Sequence, residues 1–189
     1  MLLVFEGVDG CGKTTQLNLL HRSLAAQGHR TLTLSNPEDS GLLTTGYLSA
    51  HATALFRAAA LRQLNDTVIW PLISRGMGFI LLERGCHNPI AYQGYGDGLL
   101  SRVERIAMLN ATEILRNAVT IYLRIPEAEA RRRCPTKQQA PEFVKPGYLQ
   151  RVIHGFDAIA AQERWHAIDG AFPAEDVHRS IMQFIALKH

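Results

Sequence analysis

The sequence has 189 residues, enough for one domain whose core needs neither disulfides nor metals to hold it. Its 47% hydrophobic and 20% charged residues exclude a disordered chain, and the net charge of +3, spread along the sequence, does not by itself single out a nucleic-acid partner. Cys11, Cys86 and Cys134 are odd in number and far apart, which excludes a disulfide framework or a zinc site and fits a reducing cytoplasm.

Leu2 to Glu6 reads as a first strand, because it is too short for a signal peptide and lacks a basic flank. It runs straight into Gly7-Val8-Asp9-Gly10-Cys11-Gly12-Lys13-Thr14, which matches the phosphate-loop pattern G-x-x-x-x-G-K-S/T, and a helix-compatible run follows. Each residue type there has a physical task. Glycines let backbone N–H groups turn inward around phosphates, and the next helix presents its positive end to them. Lys13 reaches the β and γ oxygens and Thr14 can ligate magnesium. The loop says nothing about what receives a phosphoryl group, so a binding or regulatory nucleotide module stays open beside a kinase.

Arg30 to Ser35, Phe79 to Glu83, Val119 to Arg124 and Trp165 to Asp169 read as further strands. Helical patterns follow Lys13, span Leu55 to Ser74 and Leu99 to Leu115, and resume after Ala174, with Pro173 at its start. This alternation predicts a three-layer α/β fold, a five-stranded parallel sheet covered on both faces, over a single domain of residues 1–189. Ligands should bind beyond the carboxyl ends of the strands. Arg131 to Pro146 is basic, proline-containing and aperiodic, and reads as a rim loop that serves as a lid. No run of about 18 apolar residues is present, so no membrane association is expected.

Phe5-Glu6-Gly7-Val8-Asp9-Gly10-Cys11-Gly12-Lys13-Thr14-Thr15-Gln16 is very similar to the opening of thymidylate kinases. Ala91-Tyr92-Gln93-Gly94 with Gly96 and Gly98 resembles the family's A-Y-Q-G-x-G-x-G-L segment, and Val68-Ile69-Trp70-Pro71 through Arg75-Gly76, Ile168-Asp169, Glu175 and Val177 extend the likeness to nearly the whole chain. The resemblance implies a P-loop NTPase fold, ATP with Mg2+ as donor and a pyrimidine deoxynucleotide acceptor near Tyr92. It assigns ATP to Gly7, Asp9, Gly10, Cys11, Gly12, Lys13, Thr14 and Thr15. Asp9 would hydrogen-bond the acceptor sugar, Tyr92, with Gln93 beside it, would crowd a ribose 2′-hydroxyl, and Arg84 would neutralise phosphate charge. The plainer alternatives are that Tyr92 packs in the core and Asp9 only stabilises its turn. The family's common dimeric state carries over as an expectation, with no apolar stripe assignable to an interface.

Several residues depart from the family pattern. Glu83-Arg84 stands where thymidylate kinases carry Asp-Arg, followed by Gly85 instead of an aromatic residue. Glu-Arg there is similar to deoxynucleoside kinases, in which the carboxylate takes a proton from an attacking hydroxyl, so Glu83 is the candidate base as well as a metal ligand with Thr14. The thymine-stacking aromatic and the phosphate-gripping arginine become Arg57 and Leu61. Phe56 and Arg62 restore both only if the alignment slips by one, which turns a helical side chain by about 100°. Ser35-Asn36-Pro37-Glu38-Asp39-Ser40 lacks a further family arginine. Arg131-Arg132-Arg133 and Lys137 are expected to face ATP and the transferring phosphoryl group, or else to form an exposed helix end.

With the acceptor-phosphate grip depleted, the preferred acceptor is the hydroxymethyl group of 5-hydroxymethyluracil in DNA, as in bacteriophage members of the family. Lys13 and Arg84 would then hold the γ-phosphoryl group, while Arg57, Arg62, Arg102 and Arg105 would meet the DNA backbone. The alternatives are thymidine monophosphate (dTMP) and a deoxynucleoside.

Overall fold

In the computed structural model, which describes residues 1–35, 49–111, 113–135 and 144–187, strand β1 (Leu2–Glu6) is buried at every position. A strand covered on both faces needs such a continuous apolar run. Leu3 and Phe5 join one core cluster with Leu17, Leu20, Ile121, Leu123, Val152, Phe156 and Ile181. Leu2 and Val4 join the other with Leu61, Ile69, Ile80, Leu82 and Leu115. The period-two alternation of β1 thus separates the two outer layers.

The sheet has five strands in the order β2 (Thr31–Ser35), β3 (Phe79–Glu83), β1, β4 (Val119–Arg124), β5 (His166–Asp169), and every pairing is parallel. Phe5 lies opposite Glu83, and Glu6 opposite Tyr122. β1 and β3 therefore end side by side, and the segments that follow them emerge at the same edge.

Helix α1 (Lys13–Ala26) begins within the phosphate-loop sequence, at its lysine. Helix α2 (Ala50–Leu64) starts at Ser49, whose hydroxyl accepts the Ala52 N–H at 3.2 Å. The pattern expected over Leu55 to Ser74 therefore begins earlier, and it is not one regular helix. A wide turn at Asn65–Ile69 joins α2 to α3 (Trp70–Ser74). Pro71 explains this, because it has no N–H to donate and cannot continue a regular helical ladder. The segment expected as a helix over Leu99 to Leu115 holds α4 (Arg102–Ala111) and most of α5 (Glu113–Arg116).

Helix α6 (Glu127–Arg133) takes up the start of the segment expected to be a loop, while residues 136–143, Lys137 among them, lie outside the described residues. The sequence reading left residues 148–163 unassigned, yet they form α7 (Tyr148–Glu163), which buries Leu149, Val152, Ile153, Phe156, Ile159 and Ala160. α8 (Ala174–Ala186) completes the fold. Among the described residues no helix is long and apolar enough to cross a membrane.

Helix α7 lies against a second wide-turn segment, Ile90–Gly96, through interlocked glycines. A Cβ on Gly155 would sit 2.7 Å from Tyr95 Cγ, and one on Gly96 would sit 2.7 Å from Val152 Cγ2 and 2.8 Å from Tyr148 Cζ. Gly155→Ala is expected to lower stability by about 1–3 kcal/mol, since the ring base of Tyr95 cannot rotate away. Urea denaturation of the variant and the parent measures this directly.

Candidate active site

The phosphate loop begins where β1 ends. At Gly7 the backbone has φ 139°, and a Cβ there would stand 2.5 Å from the Leu123 carbonyl oxygen of β4 and 2.8 Å from Cys11 Sγ. Only glycine lets the chain leave the strand this close to its neighbour. Gly10 and Gly12 also have positive φ, and α1 opens at Lys13 with its first N–H groups directed at the loop. Lys13 is buried, and its Nζ donates to the Gly7 and Val8 carbonyls at 3.0 Å each. One ammonium group thereby spans the loop from within.

Beside it, the Thr14 hydroxyl donates to the Glu83 carboxylate, at 2.9 Å to Oε2 and 3.1 Å to Oε1. These are hard oxygen donors, the kind Mg2+ takes, and Mg2+ uses one or two protein oxygens together with phosphates and water. The pair therefore fits that ion. Arg84, the next residue, has φ 65°, and its guanidinium is paired with Asp9. The Asp9 amide donates to the Tyr92 hydroxyl at 3.1 Å, and Tyr148 donates to the Tyr92 carbonyl at 3.0 Å. Burial, followed by the nearby Asp9 charge, pushes the Tyr92 hydroxyl well above its ordinary range, so it stays neutral.

The structure thus brings together Asp9, Lys13, Thr14, Glu83, Arg84 and Tyr92. Arg132 lines an adjoining cleft of about 350 Å³ with Cys11, Gly12, Thr15, Gln16, Phe172 and Pro173. Arg131, Arg132 and Arg133, at the end of α6, are already engaged. Arg131 pairs with Glu127, and Arg132 and Arg133 pair with Glu129. Arg133 also donates to the Gly170 carbonyl at 2.8 Å and the Ala171 carbonyl at 3.2 Å, so it ties α6 to the segment after β5.

Arg62 departs from expectation. It is half exposed, ion-paired with Asp66 at 2.7 Å, and lines a groove with Leu55, Ala58 and Met108 that contains no phosphate-loop residue. Leu61 is fully buried in the core, while Arg57, one turn earlier on the same helix face, is half-buried. Arg102 and Arg105 line a further groove without phosphate-loop residues, and Arg105 lies over the Tyr95 ring. Residues 36–40, where a family arginine is absent, lie outside the described residues.

Sequence reasoning missed Asn88. It is 1% exposed, and neither amide atom has a hydrogen-bond partner among the described residues; the Gln93 Oε1 is likewise buried and unpartnered. Its signal was an amide one turn before Tyr92 in an otherwise mostly apolar stretch, Cys86 to Ala91.

The sequence matches the Thymidylate kinase family over residues 5–181. The chain belongs to the thymidylate kinase family. The thymidylate kinase of Synechococcus sp. (strain RCC307) is 32% identical to it over 207 aligned residues, spanning 97% of this chain and 94% of the relative. That of Desulforudis audaxviator (strain MP104C) is 35% identical over 179 residues, spanning 88% and 80%. The crystal structure of thymidylate kinase from Ehrlichia chaffeensis shares the fold, with a TM-score of 0.74 over 98% of both chains at 21% identity. Family membership makes this P-loop chain an ATP-dependent kinase.

Glu6, at the family's loop entrance, is fully buried, and burial raises its carboxyl to about 7 against the opposing Gly85 amide and the Lys13 and Arg84 charges. Between the ordinary 4.5 and about 7 the folded chain holds this proton more tightly than the unfolded chain does. The stability this group contributes is therefore present below 4.5 and is lost as pH rises through about 7. Glu6→Gln has no proton to lose. Relative to the parent, its unfolding free energy should rise by roughly 3 kcal/mol across that window, measured by urea titrations at successive pH values.

Proposed function

We propose that the chain transfers the γ-phosphoryl group of ATP to the 5′-phosphate of dTMP, giving dTDP and ADP. The observation that carries this reading is the adjacency of two residue sets at the ends of β1 and β3: Lys13, Thr14 and Glu83 on the donor side, and Asp9, Arg84 and Tyr92 on the acceptor side. The names of the full-length relatives support the same acceptor.

The loop amides and Lys13 hold the donor phosphates, and adenine enters the cleft between Arg132 and Phe172, where a guanidinium plane and an exposed ring suit stacking. Thr14 and Glu83 would hold Mg2+. When bound, that ion neutralises charge on the phosphate oxygens and orients them. The acceptor phosphate is already ionised, so its oxygen attacks the γ-phosphorus without a general base as the bond to the β-phosphate oxygen breaks. In this reading Glu83 serves the metal.

Asp9 and Arg84 position the acceptor, and Tyr92 closes the space a 2′-hydroxyl would fill. The unpartnered amide of Asn88 and the unpartnered Oε1 of Gln93 offer a donor and acceptors to the base edge. Arg57 takes over the phosphate grip that Leu61 cannot provide, because both lie on one face of α2.

The DNA hydroxymethyl acceptor finds no support among the relatives, and Arg62, expected on its backbone, is held by Asp66. Label transfer from γ-labelled ATP to dTMP, thymidine and 5-hydroxymethyluracil DNA decides among the acceptors. Label should appear in dTMP, and label found only in DNA or thymidine would overturn the assignment. Arg57→Ala should raise the KM for dTMP by about 10–100-fold and move the KM for ATP far less. Glu83→Gln should raise the Mg2+ concentration needed for half-maximal rate.

A further inference from the structure

Arg84 occupies a left-handed conformation that is strained for a non-glycine residue, and something must hold it there. Three of the contacts around it bear on the turn. Its amide donates to the Phe5 carbonyl at 3.0 Å, continuing the β1–β3 ladder, and its guanidinium meets Asp9. The third contact is indirect, because the buried Gly85 amide donates at 2.9 Å to Oε1 of Glu6. Position 85 is also where the family pattern carries an aromatic residue. Here a Cβ would stand 2.9 Å from Val4 Cγ1 and 3.1 Å from Glu6 Oε1, so the glycine leaves room for the carboxylate to approach the main chain.

We propose that Glu6 is a positioning residue for phosphoryl transfer: by accepting the Gly85 amide it fixes the Arg84–Gly85 turn and so aims the Arg84 guanidinium at Asp9 and the acceptor. Glu6 touches no substrate in this scheme. It acts through the backbone of the residue after Arg84, from a strand that also sets the phosphate loop, and thereby couples the placement of donor and acceptor groups. Its kinetic consequences rest on the acceptor reading above, whereas its structural consequence does not.

The test compares the full-length parent with Glu6→Gln, which keeps an acceptor oxygen, and Glu6→Leu, which removes it. NMR reports the Gly85 amide and the Arg84 side-chain Nε–H, and steady-state kinetics report KM for dTMP and ATP separately. Gln is expected to keep both signals near their parent positions and the dTMP KM within about threefold. Leu is expected to displace both signals and raise the dTMP KM about tenfold or more, with a smaller change for ATP. A folded Leu variant with parent-like signals and dTMP KM overturns the proposal, as does a Gln variant as impaired as Leu. If Leu does not fold, scalar coupling across the Gly85 N–H to Glu6 carboxyl hydrogen bond in the parent decides, and its absence overturns the proposal. Failure of the parent to label dTMP would sink the acceptor assignment and leave the Gly85 and Arg84 signals to judge Glu6.

Discussion

The pairing of β1 with β3 sets Phe5 opposite Glu83, and the site's geometry follows from that register. The two strands end together, so the turn at Gly7 and the turn at Arg84 begin beside each other. A slip of one residue would exchange the faces of β1, sending Leu3 and Phe5 to the layer now filled by Leu2 and Val4. It would also carry Glu83 away from Thr14 and Arg84 away from Asp9. The apolar cores on both faces oppose such a slip, so core packing is what keeps the charged groups in place.

Those charged groups compensate one another within the protein. Lys13 lies on two loop carbonyls, Arg84 on Asp9, and the Thr14 hydroxyl on Glu83. A buried ammonium without partners would be strongly disfavoured, so the carbonyls stabilise the lysine where phosphate oxygens are proposed to meet it. Groups held in place beforehand need little rearrangement at the moment of transfer, which is the origin of most electrostatic catalysis. Arg84 illustrates the cost of such order, because its left-handed backbone is one that the surrounding structure must hold, and the Phe5 carbonyl, Glu6 through Gly85, and Asp9 all constrain it.

Strands were legible because burial on both faces turns them into short apolar runs, and the phosphate loop was legible because its glycines answer to backbone geometry. Leu149, Val152, Ile153, Phe156, Ile159 and Ala160 follow the helical period that α7 uses, although no element was expected over those residues. Arg131, Arg132 and Arg133 read as a cationic patch in sequence, since the pairing of Arg131 with Glu127, and of Arg132 and Arg133 with Glu129, depends on α6 forming. Asn88 was invisible for a different reason. A lone asparagine is ordinary in a sequence, and only its burial without a partner among the described residues marks it out.

The acceptor shows how far residue absences carry an argument. By the family resemblance, aligned without gaps, Leu61 would take the place of a phosphate-gripping arginine, and taken alone it suggests that the grip is gone. Rescue by Arg62 would need a side chain turned about 100° towards the site, and the structure has it turned to Asp66 instead. Arg57 precedes Leu61 by four residues and shares its face, so one long, flexible side chain can cover ground that another position covers in relatives. A phosphate site is defined by where guanidinium groups stand, and a helix supplies the same location from more than one position. Glu83 follows the same logic: a carboxylate at the end of β3 could serve a hydroxyl acceptor as a base, but beside Thr14 it is equally placed to ligate the proposed Mg2+, and an ionised acceptor would require only the second role.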